Sequence, residues 1–120
     1  MTADLFHIGH LKAIRQAYKK CDYLIIGLLD CPSYKKPIIP FKERKEILEA
    51  LPEVGEVRRQ KSLKPNLNNC NFVFSGDGFE PDEIKSAEKY NCKPVKIKYY
   101  DGQTTTKIKE KVSRLYPHKR

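Results

Sequence analysis

The run Tyr23-Leu24-Ile25-Ile26-Gly27-Leu28 constrains this chain more than any other segment. It is short, uncharged and free of polar alternation, which fits a strand buried on both faces. A helical stripe of Leu11, Ile14, Tyr18 and Cys21 precedes it. A polar stretch from Asp30 to Pro40 follows and carries Lys35-Lys36. Pro40 suits the first turn of a helix whose face holds Phe41, Ile47, Leu48 and Leu51, and Pro52 ends that helix. Glu56-Val57-Arg58-Arg59 reads as a weaker strand, and Lys61 to Asn71 as irregular chain. Asn71-Phe72-Val73-Phe74-Ser75 reads as another buried strand, closed by Gly76-Asp77-Gly78. Pro81 opens a helix to about Tyr90 with Ile84 and Ala87 facing inward. Pro94 to Tyr99 alternates as a strand, and a last helix from about Thr105 to Leu115 places Ile108, Val112 and Leu115 on one stripe.

Helices alternating with short apolar strands predict an α/β fold, a Rossmann-like doubly wound parallel sheet with right-handed crossovers. Nothing divides the chain internally, so residues 1–120 are expected to form a single domain. The alternation begins on a helix, however. A doubly wound sheet places a strand before Asp4, and Met1-Thr2-Ala3 is too short to be one. The expected first strand is therefore missing: either the chain is cut or misannotated upstream, or the fold manages without it.

A net charge of +9 suits phosphorylated ligands, nucleic acid or an anionic surface equally, so charge does not choose among them. With no basic arm and no aromatic-studded RNA motif, a nucleic-acid partner is not expected. No apolar run reaches the ~18 residues of a membrane span, and no signal peptide precedes the first motif. The four cysteines, Cys21, Cys31, Cys70 and Cys92, show no C-x-x-C or zinc-like spacing. Reduced thiols in a cytoplasmic protein are the simplest reading.

The chemistry concentrates in Asp4-Leu5-Phe6-His7-Ile8-Gly9-His10. Two histidines three apart sit at the start of a helix, whose free N–H groups and partial positive charge suit a phosphate. Gly9 removes a side chain where a ligand would approach the backbone most closely. Asp4 and Asp77 fall at strand-to-helix junctions, the crevice where such sheets bind ligands.

At His7-Ile8-Gly9-His10 the chain resembles the H-x-G-H nucleotidyltransferase superfamily, in its cytidylyltransferase branch, the glycerol-3-phosphate cytidylyltransferase-like group. Three further segments carry the resemblance in the same order. Lys35-Lys36-Pro37-Ile38-Ile39-Pro40-Phe41-Lys42-Glu43-Arg44 is similar to a lysine loop followed by an E-R helix. Gly76-Asp77-Gly78 matches a Gly-Asp element, and Thr104-Thr105-Thr106-Lys107-Ile108 resembles an S-T-T-K-I helix start. Four ordered elements at α/β junctions are a far more specific signal than one motif.

The resemblance implies transfer of a nucleotidyl group, most simply CMP from CTP, to a small phosphorylated alcohol or sugar, with release of pyrophosphate. It implies His7, His10 and Lys36 as catalytic residues. It also implies Asp4, Phe6, Gly9, Lys35, Gly76, Asp77, Thr104, Thr105 and Thr106 around the nucleotide, and Arg44 as a candidate acceptor contact. Mg²⁺ is expected to ride on the triphosphate without an all-protein cage, and a homodimer is expected by analogy. Two places depart from the family's pattern. Tyr99 and Pro52 stand where arginines are usual, and Arg58 or Arg59 are candidates to compensate. The alternatives are a nucleotide-binding protein with weak or no turnover, and an adenylyltransferase using ATP.

Overall fold

The computed structural model describes residues 1–31, 36–62, 64–98, 100 and 102–117. Elements run α1 (Ile8–Tyr18), β1 (Ile25–Leu29), α2 (Phe41–Glu49), β2 (Glu56–Gln60), β3 (Phe72–Ser75), α3 (Pro81–Lys89), β4 (Lys93–Lys96) and α4 (Thr105–Leu115). The order of types is the one the apolar pattern predicts. β1 pairs in parallel with β2, setting Ile26 opposite Val57 and Leu28 opposite Arg59. β3 pairs in parallel with β4, setting Val73 opposite Pro94 and Phe74 opposite Val95. Each pair is joined through a helix, α2 or α3, as parallel pairing requires.

The strands form two two-stranded sheets rather than one continuous sheet. Met1–Ala3 form no strand, yet they run along the free edge of β1 in parallel register. The Met1 ammonium donates to the Gly27 carbonyl and Leu29 N–H donates to the Met1 carbonyl, both at 2.8 Å. Ala3 is buried in the main core with Ile14, Ala17, Leu24, Ile26, Leu28, Leu48 and Val57, and Phe74 of β3 packs against the same cluster. The two sheets thus meet through side chains, with no ladder between them among the described residues. A smaller core of Leu67, Ala87 and Cys92 lies with Cys70 and Val73 around them. None of the four cysteines is paired.

Several inward assignments are corrected. Ile84 and Ile47 are exposed although Ala87 and Leu48 on the same helices are buried, because each short helix buries only a narrow face. On α4 no residue is fully buried, and Val112 and Leu115 stand 52% and 57% exposed. Ile108 and Val112 instead line an open apolar groove of about 370 Å³ with Leu5, Ile38, Lys109 and Ser113. β4 ends at Lys96, short of the expected Tyr99, which lies outside the described residues. Ile97 N–H still bonds the Ser75 carbonyl, but Lys98 gives its backbone to a side chain of α1. No helix among the described residues is long and apolar enough to cross a membrane.

Candidate active site

The strands all run in parallel pairs, so the starts of α1, α2 and α4 gather at the carboxyl ends of the strands, where α/β sheets bind ligands. Asp4 organises that edge. Its carboxylate is buried and accepts the N–H of Ile38 and of Ile39, each at 2.9 Å, which pins the end of the lysine loop. Its carbonyl accepts the Thr105 hydroxyl at 2.9 Å, which pins the start of α4. Burial alone would raise the Asp4 carboxyl. The two backbone N–H bonds, with Lys109 and Arg44 nearby, hold it below its ordinary value. Ala3 and Leu5 on either side adopt φ of 52° and 50°. Left-handed backbone costs a non-glycine residue about 1 kcal/mol or more, and here it turns the Asp4 side chain inward between two fixed points. Each of its carboxylate oxygens holds one N–H of the loop, which gives Asp4 a positioning role at this edge.

His7 and His10 close the start of α1 on each other. His7 is the N-cap, and its Nδ1 accepts Gly9 N–H at 3.0 Å. His10, three residues on, turns its Nδ1 back to accept His7 N–H at 3.2 Å. This is a capping box built from imidazoles. An Nδ1 that accepts carries no proton, so in each neutral ring the proton sits on Nε2. Among the described residues no buried side-chain nitrogen or oxygen lacks a partner, and the structure supplies none to either Nε2. Both Nε2–H groups therefore reach solvent as donors. The rings lie 3.9 Å apart between centroids, with Phe6 stacked on His10 at 5.4 Å. Burial lowers the pKa of His7. It lowers that of His10 to about 4, helped by His7 and the amino terminus and opposed by Asp4.

Packing also requires Gly9. A Cβ there would lie 2.8 Å from His7 Cε1 and 3.0 Å from the Gln103 carbonyl. The segment leading into α4 thus rests directly on the histidine turn. Thr104 caps α4 by accepting Lys107 N–H at 3.0 Å. Thr105 spends its hydroxyl proton on Asp4 while Thr104 keeps its own, and Thr106 is the exposed one of the three. The backbone at the helix start carries the partial positive charge common to helix N-termini.

Lys36 is exposed, two residues before the segment that Asp4 pins. Lys35 lies outside the described residues. Gly76 and Asp77 directly follow β3; Asp77 is exposed, with its N–H on Ser75 Oγ at 3.3 Å. Among the described residues no hydrogen bond or ion pair joins them to the histidines. Gly78 has φ 86°, so the turn itself requires a glycine there.

Arg44 is the clearest correction. It is 2% exposed and donates to four backbone carbonyls. Nε bonds Ile39 at 2.8 Å, Nη1 bonds Thr2 at 2.9 Å and Leu29 at 2.6 Å, and Nη2 bonds Asp30 at 2.7 Å. A guanidinium so enclosed ties α2 to β1 and the Met1–Ala3 segment, and offers an acceptor nothing.

Sequence reading missed Gln16. Its side-chain amide donates to the Lys98 carbonyl and accepts the Lys98 N–H, both at 2.8 Å. It meets the end of β4 as a neighbouring strand would. Lys12, one turn earlier on α1, lies 4.1 Å over the Tyr100 ring. No local pattern announces either contact.

Residues 2–119 match the family described as cytidylyltransferase-like. The chain belongs to that family. It is 32% identical to the glycerol-3-phosphate cytidylyltransferase of Bacillus spizizenii over 124 residues, covering 95% of this chain and 94% of the relative. It is 30% identical to the enzyme of the same name from Bacillus subtilis, with the same coverage. It is also 29% identical to the bifunctional protein HldE of Geobacter metallireducens over 94% of this chain, but covers only 26% of that protein. The chain is thus an enzyme of the nucleotidyltransferase type with a Rossmann-like arrangement of parallel strands.

Proposed function

We propose that this chain transfers a cytidylyl group from CTP to the phosphate of a small phosphorylated alcohol or sugar, glycerol 3-phosphate being the first to test. The paired Nε2–H donors of His7 and His10 at one helix start are the observation that carries the reading. The names of the full-length relatives favour CTP over ATP and a phosphorylated polyol as acceptor.

An acceptor phosphate oxygen attacks the α-phosphorus, the new P–O bond forms as the bond to the bridging oxygen breaks, and pyrophosphate leaves with that electron pair. Two neutral imidazoles donate to the oxygens that gain charge as phosphorus becomes five-coordinate. Because their Nδ1 atoms are held by backbone N–H groups, the donors are oriented before substrate arrives. Lys36 offsets phosphate charge, and the start of α4 receives the outgoing phosphates. Among the described residues no group of three or more His, Cys, Asp or Glu could hold a metal. Mg²⁺ would be held by the triphosphate and water, neutralising charge there. A cytoplasmic homodimer is part of the same proposal, by analogy with the family.

The test mixes the protein with each of the four nucleoside triphosphates, Mg²⁺ and a panel of phosphorylated alcohols and sugars, following pyrophosphate. CTP with a phosphorylated polyol should release it, and His10→Ala should lower turnover by about 10²–10³-fold. No release with any pair from folded protein rejects the enzyme reading. Calorimetric CTP binding without release would favour a binding protein, as the arginine positions held by Tyr99 and Pro52 would allow.

A further inference from the structure

Arg59 occupies the base of the lysine loop. It sits in β2 opposite Leu28, at the carboxyl-terminal edge where Asp30 N–H bonds the Gln60 carbonyl. Its guanidinium lies 4.2 Å over the ring of Phe41, and its Nη1 is 3.7 Å from Asp30 Oδ2. Asp30 stands where the chain enters the segment carrying Lys36, and Phe41 where it leaves. Stacking sets the plane of the guanidinium, and the side chain stays 52% exposed.

The other nearby arginines are committed. Arg44 is bound to four carbonyls, and Arg58 is bound to Glu56 at 2.5 Å, with Tyr23 on the same carboxylate. The Arg59–Asp30 pair is long and solvated, the kind that contributes little. A phosphate dianion accepting two N–H bonds from the fork is a stronger partner and would displace the carboxylate.

We propose that Arg59 is the specificity-determining residue that grips the phosphomonoester of the acceptor, in a chain where Pro52 and Tyr99 stand in place of two expected arginines. The inference rests on the transfer reading above. β2 lies two strand spacings, ~10 Å, from the Met1–Ala3 segment that leads into His7. An extended arginine side chain and two phosphates in line span that gap.

Arg59→Ala should raise the KM for glycerol 3-phosphate by about 10- to 100-fold, the loss of a charged two-point hydrogen bond, while the KM for CTP changes less than twofold. Arg59→Lys should recover part of the loss, because it keeps the charge without the fork. Arg59→Gln retains a planar group on Phe41 and serves if the alanine variant does not fold. An unchanged acceptor KM, or a CTP KM that rises with it, overturns the assignment. If wild-type protein releases no pyrophosphate with any pair, the transfer reading fails, and calorimetry with glycerol 3-phosphate and inorganic phosphate decides Arg59 alone. Binding by wild type that Arg59→Ala abolishes upholds an anion site; binding that is equal in both, or absent from wild type, removes it.

Discussion

His10 Nδ1 accepts the backbone N–H of His7 at 3.2 Å, and that bond decides which nitrogen of the ring is left to work. Protonating Nδ1 would break it. The depressed value of about 4 for His10 therefore has a local consequence as well as a burial cause. A base that is harder to protonate when folded binds more protons when unfolded, so stability falls as pH drops from about 6.5 toward 4, by up to ~1.4 kcal/mol per unit. His10 should titrate near 4 by NMR of its Cε1 proton, with the chain losing stability across the same window. An ordinary value near 6.5 would show the ring open to water and the capping bond unmade.

Asp4→Asn turns an N–H₂ group toward the N–H of Ile38 or Ile39, leaving a buried donor facing a donor. A loss of about 1–3 kcal/mol is expected in urea denaturation. Amide exchange should quicken at Ile38 and Ile39 before it quickens in β1. The Asp4 carboxyl is held low, so its contribution is complete above the unfolded value near 4 and fades only below it. Protection unchanged at both amides would mean that the loop is held by something else.

Gln16→Ala removes two hydrogen bonds that join the helix of the histidines to the strand leading into α4. The expected cost is modest, about 1 kcal/mol, since the site is partly solvated. The informative effect is local: Lys98 N–H should exchange faster while the β1 amides do not. The KM for nucleotide should rise with little change in His10 titration, because the α4 start moves and the histidine turn does not.

Arg44→Lys keeps the charge but not the fork. One ammonium cannot reach the carbonyls of Thr2, Leu29, Asp30 and Ile39 together, so buried acceptors lose their donors. Destabilisation of about 3 kcal/mol or more is expected from at least two such groups. In the folded fraction the acceptor KM should stay near that of wild type. A large acceptor KM change without lost stability would return Arg44 to the substrate.

The types and order of the eight elements were legible in the chain, because a strand buried on both faces and a helical stripe each write their period into neighbouring residues. The histidine turn was legible for the same reason. Residues three apart at a helix start are neighbours whatever the rest of the molecule does, and the chemistry of two imidazoles there points to phosphate. The local pattern could not tell which polar residues face a ligand and which face the protein. Asp4 and Arg44 carry the charge and position of binding residues, yet both turn inward. Their partners lie 34 and 35 residues away for the Asp4 carboxylate, and 15 and 42 for Nη1 of Arg44. Arg58 and Arg59 are adjacent in sequence, and only the pleat of β2 and the nearby Glu56, Asp30 and Phe41 separate a committed guanidinium from an available one. The sequence by itself determined the local periods and the histidine turn. Tertiary structure alone decided the allocation of buried hydrogen bonds, because satisfying a buried donor or acceptor depends on what folding brings beside it, and periodicity holds no record of that.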